Sequence, residues 1–424
     1  FYTINNIYNI KYTKNGSTKM KSKNNFVAFT VCNIAYLHKA LVLEDYFFKI
    51  TKSLLKIYII DTKRDLGVIS GHHKIIWVEE LNIPDYNNLA FKYDITELST
   101  SLKPYLAKLN LENNDKVIFF DPDIYIFFKI NSILEDLDEC SILLTPHYTK
   151  PEPDHWENSD IGMMRFGSFN LGFFGVRSTS QSHEFLDWWH NRCMRFCFFE
   201  TQFGLSTDQK WLSIAPCFYS NIKISFNLGY NMAFWNLHER CLYKDKNGNL
   251  MVNNKDPLIF FHFSSFDENQ TSNLSTRPII DKKNINDILK CISMEYGESQ
   301  LSYKSKIENF KYGYDYMSDG KYISPTLRRA YASILPELDK DHDPFSVNGA
   351  VAKFAAKNGL FERKNINYRT YGYADKENHS LKFSFIYILF RMILKITGPN
   401  NFHNFSRLLV YLSSYRQNRD LWKI

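Results

Sequence analysis

Lys116-Val117-Ile118-Phe119-Phe120-Asp121-Pro122-Asp123-Ile124-Tyr125-Ile126-Phe127 sets two carboxylates one residue apart at the end of an apolar run. Val117 to Phe120 contains neither a charge nor a turn former, so the spacing predicts a strand buried on both faces of a parallel sheet. In open α/β sheets ligands bind beyond the carboxyl ends of such strands, and Asp121 and Asp123 stand at that end. Paired hard oxygen ligands suit Mg²⁺ or Mn²⁺, which fill the rest of their shell with water and phosphate oxygens. The competing reading is a strand-end turn in which Asp accepts from the backbone. Three further Asp-x-Asp triplets, Asp136/Asp138, Asp339/Asp341 and Asp341/Asp343, lie in polar stretches and read as solvated charge.

Outward from this strand, segments alternate. Phe26 to Val31 reads as a strand, Ile34 to Lys52 as an amphipathic helix, Leu55 to Ile60 as a strand closed by Asp61, and Lys74 to Leu81 as another strand. Thr96 to Leu109 reads as a helix and Ser141 to Thr145 as a strand, which together predict a doubly wound, mostly parallel α/β sheet. From 147 to 275 the pattern mixes a strand at Asn170 to Val176, a helix at Glu184 to Phe196 carrying Trp188 and Trp189, and a strand at Pro257 to Phe263. Beyond about 276 the chain turns polar and helical, with no further strand run. Residues 20–275 are thus expected to form the α/β domain and 276–424 a helical extension. Residues 1–19, rich in Asn, Lys and Tyr ahead of Met20, read as a poorly ordered or non-native leader.

The 424 residues are 44% hydrophobic and 23% charged, with 27 Tyr and 35 Phe, ample for a large core. A net charge of +7 favours anionic partners without arguing for nucleic acid. Seven scattered cysteines, with no second pair at zinc spacing beside Cys193 and Cys197, read as reduced, buried thiols of a cytoplasmic protein. No Gly-x-Gly-x-x-Gly follows the first strand, which disfavours a dinucleotide site, and there is no phosphate-binding Walker loop. The same lack of a Gly-rich loop counts against a nucleotidyltransferase, which stays open beside a non-catalytic sugar-binding protein.

Four more segments arrive in order: Asn170-Leu171-Gly172, Thr207-Asp208-Gln209-Lys210-Trp211, Asn227-Leu228-Gly229-Tyr230-Asn231, and Phe260-Phe261-His262-Phe263. With the Asp-x-Asp preceded by Asp115-Lys116-Val117, residues 26 to 266 resemble the GT-A glycosyltransferases of the glycogenin and lipopolysaccharide galactosyltransferase type, family 8. The resemblance implies a GT-A (Rossmann-like) fold and transfer of a sugar, with retention, from a nucleotide-sugar donor to a glycan or lipid-linked acceptor in cell-surface polysaccharide synthesis. It implies Asp121, Asp123 and His262 as ligands of Mn²⁺ or Mg²⁺, and Asn170 and Gly172 lining the donor pocket. Asp208 and Gln209 would face the anomeric carbon; a helix cap is the alternative use of that pair. Thr30, Cys32 and Asn33 would touch the nucleotide, Asp61 the base or ribose, and Lys103 would bring positive charge to the phosphates. The family's closing His-x-x-Gly-x-x-Lys-Pro stands here as His262-Phe263-Ser264-Ser265-Phe266-Asp267, without the Gly or the Lys-Pro, and Lys210 follows Gln209 where the family has an acid. An acceptor segment at Asn236 to Arg240 and a solvated loop there are equal readings.

Between 383 and 412, Phe, Ile and Leu interleave with Arg391, Lys395 and Arg407 in two segments split by Gly398-Pro399, flanked by Lys382, Arg416 and Arg419. This pattern predicts either a peripheral contact with the inner membrane face or two helices whose apolar faces pack on the catalytic domain or on each other.

Overall fold

A computed structural model describes residues 25–67, 71, 73–151, 159–277, 283–307, 310–338, 343–362, 380–412, 414, 421 and 422. The leader expected at 1–19, and Arg416 and Arg419, lie outside them.

The chain builds β1 (Phe26–Cys32), α1 (Leu37–Thr51), β2 (Leu55–Ile59), β3 (Lys74–Trp77), α2 (Tyr86–Lys92), α3 (Ile95–Ser101), α4 (Lys103–Leu111), β4 (Lys116–Phe120) and β5 (Ile124–Ile126). There follow α5 (Asn131–Glu139), β6 (Ile142–Pro146), α6 (Ser159–Phe166), β7 (Phe169–Arg177), α7 (Ser180–Phe196), β8 (Phe199–Glu200), β9 (Leu205–Ser206), α8 (Gln209–Leu212) and β10 (Ile222–Ile224). Short strands β11 (Met232–Ala233), β12 (Leu242–Lys244), β13 (Leu250–Val252), β14 (Asp256–Pro257) and β15 (Phe260–His262) precede the helices α9 (Asp287–Lys304), α10 (Pro325–Leu338), α11 (Ala350–Lys357), α12 (Ser380–Thr397) and α13 (Pro399–Leu412).

The main sheet has the order β10-β6-β7-β4-β1-β2-β3. Strand β7 runs antiparallel to β4 and β6, while the pairs β1–β2, β1–β4, β2–β3 and β10–β6 are parallel. This is the mixed, mostly parallel sheet flanked by helices that the sequence predicts. Side-chain alternation along β4 builds both cores: Val117 and Phe119 pack with Phe29, Phe174 and Trp189, and Ile118 and Phe120 pack with Leu41, Phe47 and Phe173. Each fully buried Phe contributes about 2 to 3 kcal/mol, which is why a strand apolar on both sides occupies the middle of the sheet.

Several boundaries differ from expectation. The strand expected to reach Leu81 ends at Trp77 and continues as a 3₁₀ turn, Val78–Leu81; Glu79 there accepts from the Lys63 backbone and Glu80 pairs with Lys63, so side-chain contacts replace the ladder at this edge strand. The single helix expected at Thr96 to Leu109 is two, parted at Leu102, because Pro104 opens α4 without an amide to donate back. Of the cysteines, 32, 140, 193 and 197 are buried, but Cys217 and Cys291 are exposed and Cys241 is half-buried. Trp189 is in the core and Trp188 lies at its edge.

A second, small sheet, β11-β15-β5, decides the position of the site. Strand β15 pairs antiparallel with β5 so that His262 stands opposite Ile124, and the Phe263 amide donates to the Asp123 carbonyl at 2.8 Å. Residues from 140 positions apart are thereby fixed side by side at the carboxyl end of β4.

Candidate active site

Asp121, Asp123 and His262 offer one ligand atom each within 4.8 Å of one another. His262 Nε2 lies 3.0 Å from Asp123 Oδ1 and 4.0 Å from Asp121 Oδ2. An imidazole beside two carboxylates suits Mn²⁺ better than Mg²⁺, which prefers an all-oxygen shell. Burial alone would raise the Asp123 carboxyl; the adjacent His262 and, after it, Lys39 outweigh that and bring it down to about 2. His262 is oriented from behind: its Nδ1 lies 3.1 Å from Asn231 Oδ1, and the Trp235 ring meets it edge-on at 5.1 Å. An outer partner of this kind fixes the ring and its tautomer.

Asn231 also ties His262 to the donor-pocket residues. Its Nδ2 donates to Asn170 Oδ1 and to Thr145 Oγ1, both at 3.0 Å, and Asn170 Oδ1 in turn accepts from the Gly172 amide. At Gly172 a Cβ would come within 2.2 Å of His262 Cε1. The Gly is thus required by the histidine, and the Gly172 carbonyl accepts from the Asp121 amide at 2.7 Å.

Lys103 lies beneath the carboxylates. It is buried, with Nζ 3.1 Å from Asp121 Oδ1, 3.6 Å from Asp208 Oδ2 and 2.8 Å from the Leu171 carbonyl. Burial disfavours its charge, but Asp121 and Asp208 reverse that and raise its pKa. It therefore joins two carboxylates from below and is not open to solvent. Asp208 is almost wholly buried; desolvation pushes its carboxyl up to about 6 against the pull of Lys103. It occupies the cap position of α8 without making a capping bond, accepts from the Thr207 hydroxyl, and leaves Oδ2 without a hydrogen-bond donor. The capping explanation thus fails for this carboxylate. Gln209 ties helix α6 to strand β7 in the site wall, accepting from the Leu171 amide at 3.2 Å and donating to the Phe166 carbonyl at 3.1 Å.

The remaining expected residues lie deeper or further out. Thr30 and Cys32 are buried in β1, and burial pushes the Cys32 thiol well up. Asn33 accepts from the Tyr36 amide and so caps a 3₁₀ turn. Asp61 accepts from Arg64 and from the Gly313 amide, beside a cleft of about 940 Å³ lined by Thr62, Glu79, Asp85, Tyr86, Gly313 and Tyr314. The Asn236 to Arg240 segment is structural at both ends: Asn236 donates to the His147 and Asn231 carbonyls, and buried Arg240 donates to the Tyr230 carbonyl.

Two contributors were not singled out as site residues from sequence. Asn231 holds a left-handed backbone at φ 53°, uncommon for a non-glycine residue and itself a readable signal only once the loop is folded. Lys39, on the first turn of α1, is buried beside Asp123 and makes one long bond, 3.4 Å, to the Phe266 carbonyl.

No family model matches the chain. It is 26% identical over 182 residues to YfnF of Bacillus subtilis, an uncharacterized protein, covering 41% of this chain and 58% of that one. It is 26% identical over 200 residues to YfnD of the same organism, covering 46% and 62%. The chain thus spans about three-fifths of the length of these curated relatives. Among solved structures it is similar to a galactosyltransferase, LgtC, with 14% identity, 66% of this chain and 100% of that one covered, and TM-score 0.36. It is similar to the glycosyltransferase GlyE of Streptococcus pneumoniae at 14%, covering 68% and 66%, with TM-score 0.36, and to mouse xyloside xylosyltransferase 1 at 11%, covering 56% and 97%, with TM-score 0.35.

Proposed function

We propose that this chain is a GT-A glycosyltransferase that moves a sugar from a nucleotide-sugar donor to a glycan or lipid-linked acceptor, with a divalent cation held by Asp121, Asp123 and His262. The observation that carries the reading is the convergence of these three side chains at the carboxyl end of the central strand, with the buried Asp208 joined to them through Lys103. A bound Mn²⁺ would supply electrostatic stabilisation of the charge that grows on the diphosphate leaving group. The chain's own residues do the rest by position. Lys103 holds the Asp121 carboxylate in place, Asn231 fixes the His262 ring, and Gly172, lacking a Cβ, lets that ring pack against β7.

Retention is the stereochemical outcome we favour. Both polar ends of the Gln209 amide are engaged in the wall, whereas Asp208 Oδ2 accepts no hydrogen bond and has Lys103 Nζ at 3.6 Å; this favours Asp208 over Gln209 if a covalent adduct forms, and front-side attack needs neither. The biological setting that fits is cell-surface polysaccharide synthesis at the cytoplasmic side of a membrane. A panel of nucleotide sugars incubated with the protein, with Mn²⁺ or with a chelator, tests the reading. Hydrolysis of one donor, lost on chelation, is expected; a protein that neither binds nor hydrolyses any nucleotide sugar would overturn it.

A further inference from the structure

Helices α12 and α13 form a hairpin packed on itself, with the Phe390 and Phe402 rings 6.2 Å apart. None of the residues of α13 is buried. Twelve large apolar side chains between Phe385 and Val410 are exposed, among them Phe385, Ile388, Met392, Ile396, Leu408 and Val410, with Ile396 reaching 83%. Monomeric soluble surfaces rarely carry a contiguous apolar area of this kind, and where they do it meets a partner or a lipid.

Charge identifies the partner. Residues 380–412 contain Lys382, Arg391, Lys395 and Arg407 and not one Asp or Glu, and Arg391, Lys395 and Arg407 are exposed. A protein groove of ordinary composition would meet these three exposed cations with no acid in the segment to offset them, whereas an anionic bilayer offers hydrocarbon and negative headgroups together. No described helix is long and apolar enough to cross a membrane; α12 is interrupted by Arg391 and Lys395. We propose that the α12–α13 hairpin lies in the plane of an anionic phospholipid bilayer and docks the protein there.

The hairpin is attached to the site side of the body. Tyr411 stacks 5.5 Å from Phe203, and Ser414 donates to the buried Glu200, which also takes Arg329. Beside Phe203 stands α6, joined by Arg165 to Thr201 at 3.1 Å and itself exposing Ile161 and Met164. The Phe166 carbonyl of α6 is the acceptor for Gln209. A chain of contacts thus runs from the hairpin through Phe203 and α6 to Gln209. Under the transferase reading, on which this point alone rests, the acceptor is a sugar carried on a lipid and presented at the bilayer.

The full chain is floated with vesicles of phosphatidylcholine alone or with about 30% phosphatidylglycerol. Binding to the anionic vesicles at low salt is expected, with at least about a tenfold loss on neutral vesicles or at 0.5 M salt. Met392→Glu combined with Leu408→Glu, both at exposed positions, should lower binding at least tenfold with an unchanged melting temperature; Arg391→Gln with Lys395→Gln should lower it and flatten its salt dependence. The proposal is overturned if the wild type does not bind anionic vesicles, if the variants bind as well as it does, or if light scattering shows the hairpin burying itself in a second copy. Donor hydrolysis in the same samples separates the two readings: vesicle binding without hydrolysis removes the transferase alone, and hydrolysis without vesicle binding removes the docking alone.

Discussion

Among the described residues, two groups of acidic residues and a histidine occur, Asp121/Asp123/His262 and Glu44/Asp45/His73, and in each the candidate ligand atoms lie within 4.8 Å of one another. Their surroundings differ. The first stands at the carboxyl end of β4, with the Asp121 side chain 27% exposed, and is held from behind by Lys103 and Asn231. The second joins the middle of α1 to the start of β3. His73 Nδ1 lies 2.7 Å from Glu44 Oε2 with both side chains closed from solvent, the Tyr303 hydroxyl donates to Asp45, and the Tyr303 ring covers His73 at 6.0 Å. One cluster is propped open by outer partners, while in the other Glu44 is paired with His73 and Asp45 accepts from Tyr303. Residue types alone therefore do not make a cation site; what holds the ligands, and from which side, does.

The largest effect that separates the two is on turnover. Asp123→Ala should reduce Mn²⁺-dependent donor hydrolysis by at least about a thousandfold, the several kcal/mol expected when a cation's charge is lost from the leaving group, with the circular dichroism spectrum unchanged. Glu44→Gln should leave the rate within about threefold, since nothing in the second cluster reaches the site. Comparable losses in both variants would erase the distinction drawn above.

Stability should move the opposite way. Glu44→Ala leaves His73 buried without its carboxylate, a change that costs about 3 to 5 kcal/mol when a buried pair is broken, and the shift in the urea midpoint measures it. An effect below about 1 kcal/mol would mean that the α1–β3 junction does not depend on the pair.

How much of this was readable beforehand follows from sequence distance. The central strand and its two aspartates were legible because local pattern fixes them, and β7 was legible as a strand though not as the antiparallel one. His262 could be named, but its partner Asn231 could not: a polar loop residue gives no sign of which of Asn170, Thr145 or His262 it will face. Lys103 was expected to bring positive charge to the phosphates; that it reaches under Asp121 and Asp208 was not legible, because α4 begins one residue after a break that Pro104 announces. The helical region after 276 reads as uniform, yet α9 and α10 are built into the body, Tyr296 stacking on Phe263 at 4.2 Å and buried Arg328 donating to the Ala90, Phe91 and Tyr93 carbonyls. The α12–α13 hairpin, also helical and apolar on much of its surface, stays exposed. Composition gives the amphipathic character of a helix but not what covers it.

The pH dependence of the first cluster sharpens the contrast from another side. Asp208 is an acid whose folded-state pKa, about 6, lies above the value near 3.8 of the free side chain. The folded chain holds this proton where the unfolded chain has lost it, so the stabilisation is fully present below about pH 4 and is lost as pH rises through 6. A shift of this size corresponds to about 3 kcal/mol. Asp208→Asn cannot titrate, so in chelator-treated samples its stability relative to the wild type should rise by up to that amount between pH 4.5 and pH 7.5. A constant difference across that range would show Asp208 ionised on Lys103 throughout.

The smallest effect concerns Gln209, which touches the wall of the site through both ends of its amide. If that wall only needs closing, Gln209→Ala loosens the Leu171 and Phe166 segments and weakens nucleotide binding and turnover together. If Gln209 also positions the donor sugar beside Asp208, the loss falls at the reacting centre: kcat should drop about thirtyfold, near 2 kcal/mol, with nucleotide affinity within about twofold. Gln209→Glu divides the cases further. It keeps the acceptor oxygen for the Leu171 amide but gives up the bond to the Phe166 carbonyl and adds a negative charge some residues from Asp121. A positioning role predicts that the Glu variant is slower than wild type yet faster than the Ala variant at saturating donor, because half of the wall contact survives. Equal kcat in all three would show that Gln209 has no positioning role at the reacting centre.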